Sequence, residues 1–258
     1  LSVDASTQNV YHFSDTDKNI SLLDISETFG SYDGSFVLYD NNLDSWKIYD
    51  LEEATKRIPP ESTYKIYDAL LGLESGIITP EHSSMTWNGD AFPFPSWEAD
   101  QDLNSAMQNS VNWYFQAIDS QLGINRVQGF LNKIEYGNQT TSSNLDLYWS
   151  DFSLKISPLE QVTLLKKFNT NEFHLNSQNV FSVKNAIKIA STPNGNFYGK
   201  TGTGRVNGQD INGWFIGYVE TSDNSYYFAT NIQSDSNATG KKAFEITSDI
   251  LKKLHIWN

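Results

Sequence analysis

The sequence predicts an α+β fold: an antiparallel sheet of roughly five or more strands, flanked by helices and joined to a mainly helical region. Three observations carry this. Aromatic and β-branched runs bounded by turn residues lie near both ends of the chain, while the middle has helical spacing. The residues from Gly240 onward place Ala243, Ile246, Thr247, Ile250, Leu251 and Leu254 on one helical face, as expected of a helix packed on a sheet.

Leu1 to about Phe29 is rich in Ser, Asp, Asn and Thr with weak periodicity, so residues 1–30 read as a linker or loosely packed arm and residues 31–258 as one globular domain. Gly34–Asp40 and Trp46–Asp50 form a hairpin across Asn41–Ser45. After Pro59 and Pro60, Ile66, Ala69, Leu70 and Leu73 give the spacing of a buried helix. Asp102–Ala117 and Pro158–Phe168 are further helical stretches. Strand signals return at Asn196–Gly204, Gly213–Val219 and Tyr226–Asn231, the last two joined by a polar turn.

A chain of 258 residues with 38% hydrophobic residues can bury a sizeable core without staples. A net charge of −13 with no offsetting Lys/Arg cluster argues against nucleic acid as a partner. No cysteine is present, and the four histidines, at 12, 82, 174 and 255, show no metal-ligand spacing, so no metal site is expected. The apolar runs fall short of the ~20 residues that span a bilayer. A chain beginning at Leu1 without a signal peptide reads as a processed or excised piece.

Ser62 and Lys65 form an S-x-x-K element, and residues three apart on a helix share a face, so hydroxyl and amine can meet. Pro59 and Pro60 put Ser62 at the helix N-terminus, where free backbone N–H groups favour developing negative charge. Alone, the tetrapeptide is equally a Ser cap followed by a solvated Lys. Ser110-Val111-Asn112 adds an S-x-N element inside the second helical stretch. Lys200-Thr201-Gly202 adds a K-T-G on a strand, where the Lys supplies charge for a carboxylate and the Gly admits close backbone approach. The order S-x-x-K, S-x-N, K-T-G is the signature of penicillin-binding proteins and serine β-lactamases. Ser222-Asp223-Asn224 matches S-D-N literally but follows the K-T-G in a turn, and reads as a decoy.

With Tyr136-Gly137-Asn138, Tyr148-Trp149 and the segments Leu154–Ser157 and Glu160–Val162, the chain from Gly34 to Leu254 resembles class D β-lactamases and the BlaR/MecR β-lactam sensor domains. The resemblance implies a β-lactamase/transpeptidase-like fold with the active site between sheet and helical region. It also implies a Ser62 acylated by β-lactams, Lys65 as general base in an N6-carboxylated form, and an oxyanion hole from the N–H groups of Ser62 and Thr203. Ser110, Asn112 and Lys200 would complete the catalytic set, and Thr201, Gly202, Thr203 and Trp149 would bind substrate, Trp149 also walling the lysine. No cofactor is implied beyond CO2 or bicarbonate for the carbamate.

One departure is informative: Asn112 stands where hydrolytic class D enzymes usually carry an apolar residue. Its amide can hydrogen-bond the Lys65 amine, compete with the carbamate and leave an acyl-enzyme without a base to activate water. The runs Ala106–Phe115, Tyr198–Gly204 and Ser62–Tyr67 also resemble the sensors. The reading is therefore a β-lactam receptor that deacylates very slowly and signals induction of resistance. It would sit on the extracellular face of the bacterial plasma membrane, attached to the rest of a receptor with a zinc protease module. A hydrolytic class D β-lactamase is the alternative, and a D,D-peptidase a third reading. Asp235–Lys242 lacks the Arg that many class D enzymes use for the drug carboxylate, leaving Lys200, Thr201, Thr203 and Ser110 as candidates and Lys241 only as a weak substitute.

Overall fold

A computed structural model describes residues 9–13 and 19–258. Among the described residues, seven strands form one sheet in the order β1-β3-β2-β7-β6-β5-β4. They are β1 (Asn19–Leu22), β2 (Asp33–Asp40), β3 (Ser45–Tyr49), β4 (Lys188–Thr192), β5 (Gly195–Val206), β6 (Gln209–Glu220) and β7 (Ser225–Gln233). The hairpins β2–β3, β5–β6 and β6–β7 stand where the aromatic and β-branched runs end in turn residues.

Among the described residues there are nine α-helices: α1 (Ser26–Phe29), α2 (Leu51–Thr55), α3 (Lys65–Glu74), α4 (Leu103–Gln108), α5 (Asn112–Leu122), α6 (Ile124–Ile134), α7 (Pro158–Asn169), α8 (Ser177–Ala186) and α9 (Gly240–Lys253). The central strands are covered on both faces. On β2, Phe36 and Leu38 join Phe215, Phe228, Ile246 and Ile250 beneath α9, while Val37 and Tyr39 join the larger cluster under the helical region. Side chains alternate across a strand, so consecutive apolar residues here mean two cores.

Three expectations are corrected. The segment read as a loose arm is partly built into the fold: β1 pairs in parallel with β3, so the sheet is mixed, and Phe29 is 1% exposed. Tyr11, Phe13 and Ile20 also pack against the main core, anchors that a polar composition conceals. Leu1–Gln8 and residues 14–18 lie outside the described residues. The stretch Asp102–Ala117 is two helices, broken between Gln108 and Asn112. Ala106, Met107, Val111 and Phe115 are buried on both sides of that break, and periodicity reads through it. Helices α6 and α8 and the edge strand β4 were not anticipated.

Candidate active site

Pro59 and Pro60 deliver the chain into a 3₁₀ turn, Glu61–Tyr64, that runs directly into α3. The turn is held from several sides. Trp214 Nε1 and Asn212 Nδ2 donate to Pro59 O at 2.8 and 3.1 Å, Gln161 Nε2 donates to Thr63 Oγ1 at 2.9 Å, and Glu61 N donates to Trp149 O at 3.1 Å. Glu61 takes the left-handed backbone at φ 52°, a conformation non-glycine residues adopt only when their surroundings impose it.

The expected meeting of Ser62 and Lys65 is present. Lys65 Nζ lies 2.9 Å from Ser62 Oγ and donates to Asn112 Oδ1 at 2.6 Å. The lysine is fully buried, with its Nζ 5.4 Å from the Trp149 ring centroid and 5.6 Å from that of Phe115. Desolvation first, and the neighbouring Lys200 charge second, push its pKa well below the usual lysine range. A buried lysine with lowered proton affinity next to a hydroxyl has the geometry and chemistry to act as a general base on it.

Ser110 and Asn112 come from the break between α4 and α5, with Ser110 at φ 53°. The S-x-N element is therefore a tight connection rather than part of a continuous helix. The break turns the Ser110 hydroxyl toward β5, where it accepts a hydrogen bond from Lys200 Nζ at 3.0 Å, while Asn112 opens α5 facing Lys65. Burial lowers the Lys200 pKa to about 7.

Strand β5 supplies the third side. Gly199 N points away from β6 and donates to Ile187 O at 2.9 Å. Hydrogen-bonding direction alternates along a strand, so the N–H groups of Thr201 and Thr203 face the same side, into the cleft these residues line. A Cβ on Gly202 would lie 3.1 Å from Glu61 Cβ and 3.2 Å from Ser62 N. The glycine of the K-T-G thus admits the nucleophile turn itself, whereas the sequence suggested room for substrate. Thr203 Oγ1 accepts from Gly240 N at 2.9 Å, joining β5 to the start of α9.

Ser62, Ser110, Asn112, Thr201, Gly202 and Thr203 line one cleft of about 560 Å³. Pro93, Phe94, Trp97, Asn109, Arg205, Asp210 and Thr239 complete it, and sequence reading assigned none of the seven to the site. Trp97 Nε1 donates to Asn109 O at 3.0 Å and Trp113 Nε1 to Trp97 O at 2.9 Å, which fixes the aromatic wall to the S-x-N connection. Arg205 forks onto Asp210, with Nε and Nη2 donating at 2.7 and 3.1 Å. Lys241 is exposed and does not line the cleft, so its role as a substitute carboxylate binder has no support in the geometry. Ser222–Asn224 lie in the β6–β7 turn, where Asn224 Nδ2 donates to Asp40 Oδ1 at 2.9 Å.

The remaining motifs brace the site. Gly137 has φ 52°, and a Cβ there would lie 1.9 Å from Lys155 O. Asn138 receives Lys155 N at 2.9 Å and donates to Ser153 O at 2.8 Å, tying down the segment after Trp149. Ser157 and Glu160 form a capping box on α7, and Arg57 Nε donates to Glu160 Oε2 at 3.0 Å.

This fold, with the three motifs gathered around one cleft, is that of the penicillin-recognising class. Residues 27–252 match the penicillin binding protein transpeptidase domain. The chain belongs to that family, on its BlaR/MecR branch with a class D β-lactamase-like fold. It is 46% identical to the regulatory protein BlaR1 of Bacillus licheniformis over 93% of this chain and 40% of that protein. It is 41% identical to the methicillin resistance mecR1 protein of Staphylococcus aureus over 91% and 40%. The chain therefore spans about two fifths of the length of these curated relatives. The solved C-terminal domain of the Bacillus licheniformis BlaR penicillin-receptor superposes with a TM-score of 0.91 at 46% identity, covering 94% of this chain and 99% of that one. Class D beta-lactamase BAT-2 gives 0.86 at 36%, covering 92% and 97%.

Proposed function

We propose that this chain is the sensor domain of a β-lactam receptor: Ser62 is acylated by the antibiotic and the adduct is released very slowly. The observation that carries the reading is the hydrogen bond from Lys65 Nζ to Asn112 Oδ1 at 2.6 Å. Neutral Lys65 takes the proton of Ser62 Oγ as that oxygen attacks the β-lactam carbonyl. The N–H groups of Ser62 and Thr203 then stabilise the oxyanion, and the ring C–N bond breaks as the proton taken up by Lys65 passes to the departing ring nitrogen, leaving an acyl-Ser62 ester and a neutral Lys65. Lys200, Ser110, Thr201 and Thr203 bind the drug carboxylate.

Deacylation needs a base that activates water. A carboxylated Lys65 would be that base, formed by CO2 adding to the neutral amine, and Asn112 competes with it by favouring a bare amine or ammonium that donates to its Oδ1. The greater identity to the BlaR and mecR1 relatives than to BAT-2 favours slow release over hydrolysis. As in the receptors that the sequence resembles, the domain would face the outside of the bacterial plasma membrane, joined to a zinc protease module. Among the described residues, no helix is long and apolar enough to cross a membrane.

Chromogenic cephalosporin in excess over purified domain tests the reading. The expected trace is a burst of one equivalent followed by almost no further colour. Continued linear turnover would identify a class D β-lactamase, and release of D-alanine from a D-Ala-D-Ala peptide would identify a peptidase.

A further inference from the structure

Beneath Lys65 lies a second buried polar layer that the acylation chemistry does not use. Asp68 follows Lys65 by three residues on α3, and Asp119 follows Asn112 by seven on α5, so each carboxyl sits on the same helix face as a member of the site, deeper in the core. Both aspartates are fully buried. Tyr148 O–H donates to Asp119 Oδ1 at 3.2 Å, while both Asp68 oxygens and Asp119 Oδ2 have no hydrogen-bond donor among the described residues. Unsatisfied anionic oxygens in such surroundings are costly. Two carboxylates that face each other acquire a donor if one of them carries a proton.

We propose that Asp68 and Asp119 share one proton at neutral pH and together present a single negative charge that sets the proton affinity of Lys65. The proposal rests on Lys65 serving as the acylation base. Asp68 and Asp119 are positioning residues, acting through Lys65 without touching the reacting atoms. The charged and titratable groups that act on the pair or sense its charge are Lys65 and Tyr64 beside Asp68, and Tyr148 and Asp146 beside Asp119. Burial raises the Asp68 pKa to about 7, and burial together with the Asp68 charge raises Asp119. Asp68, then Glu61 from the turn before α3, then Asp119 raise Lys65, opposing the larger downward pull of desolvation and Lys200.

The arrangement makes an asymmetric demand on variants. Asp68→Asn or Asp119→Asn replaces the protonated partner by an isosteric amide and leaves one carboxylate, so the net charge of the layer is kept. The double variant Asp68→Asn/Asp119→Asn removes it. Infrared difference spectra of the unliganded domain at neutral pH, wild type minus each single variant, should show the carbonyl stretch of a protonated carboxylic acid; subtraction cancels the band of protonated Glu61, which is common to both. The pH profile of benzylpenicillin acylation should keep its acid-limb midpoint in the single variants. In the double variant it should move about one pH unit toward acid, about tenfold in the proton affinity of Lys65.

Absence of the carboxylic-acid band from those difference spectra would overturn the shared proton, and this reading stands even if the double variant fails to fold. A double variant that folds, is acylated and keeps the wild-type midpoint would overturn the tuning of Lys65. A wild-type domain that carries the band but is never acylated would overturn the receptor reading instead and leave the shared proton supported.

Discussion

Lys65 Nζ is closer to Asn112 Oδ1, at 2.6 Å, than to Ser62 Oγ, at 2.9 Å. The proposed acylation base is thus held by an acceptor where a carbamate would have to form. An amide oxygen accepts from an amine, and more strongly from an ammonium, but is repelled by the anionic oxygens of a carbamate. Asn112→Val removes this acceptor, and deacylation should accelerate at least about tenfold in bicarbonate. An adduct lifetime unchanged by the substitution, read by intact mass, would remove Asn112 as the cause of slow release.

The S-x-x-K geometry sets two further outcomes. Ser62→Ala should abolish covalent labelling by fluorescent penicillin. Lys65→Ala should slow it by roughly 10² to 10⁴-fold, since an unassisted hydroxyl is a poor nucleophile. Labelling of the Ser62 variant at the wild-type rate would place the chemistry elsewhere.

Acylation should rise with pH through the lowered pKa of Lys65, because only the neutral amine accepts the serine proton. Loss of labelling on the acid side, while circular dichroism shows the fold intact, is the expected result. A flat profile would contradict a titrating base.

Glu61 ties stability to pH in a definite direction. Burial raises its pKa from 4.5 to about 8, against the opposing hydrogen bond from Asn212 and the Lys65 charge. The folded state holds this proton where the unfolded chain has lost it, so the stability contributed is complete below about pH 4.5 and is lost as pH rises through about 8. Lys200, lowered to about 7, acts oppositely: stability rises with pH from there toward its unfolded value of 10.5. Glu61→Gln should flatten the decline between pH 5 and 8 by an amount on the order of a few kcal/mol, read from urea midpoints. An unaltered slope would mean that Glu61 ionises freely.

Gly137→Ala should cost more than about 2 kcal/mol, because the left-handed backbone and the nearby Lys155 carbonyl leave no room for a Cβ. Thermal unfolding at the wild-type temperature would show that the Lys155 segment can move aside.

What the sequence made legible was local. Ser62, Lys65 and the Lys200–Gly202 run declare themselves by spacing, and the aromatic strands by alternation against turn residues. Asn112 could be read as a partner of Lys65 through the family pattern, and the hydrogen bond is there. What stayed hidden depends on chain crossings. Phe94 and Trp97 reach the cleft only because Trp97 and Trp113 pin an irregular loop to the S-x-N connection. Arg205 and Asp210 lie on opposite strands of a hairpin whose register shifts at Gly204/Arg205, and spacing alone does not fix such a pairing. The break at Ser110 is invisible to periodicity because apolar residues fall inward on both sides of it. Asp68 and Asp119 look like ordinary surface acids on amphipathic helices until the packing of α3 against α5 closes over them.

The most direct test mixes the domain with one equivalent of benzylpenicillin in bicarbonate buffer and follows intact mass from seconds to hours. A single adduct that maps to Ser62 and persists for hours is the outcome expected of a sensor. Rapid return to the native mass, with continued consumption of excess drug, would contradict it and make the chain a hydrolytic class D enzyme.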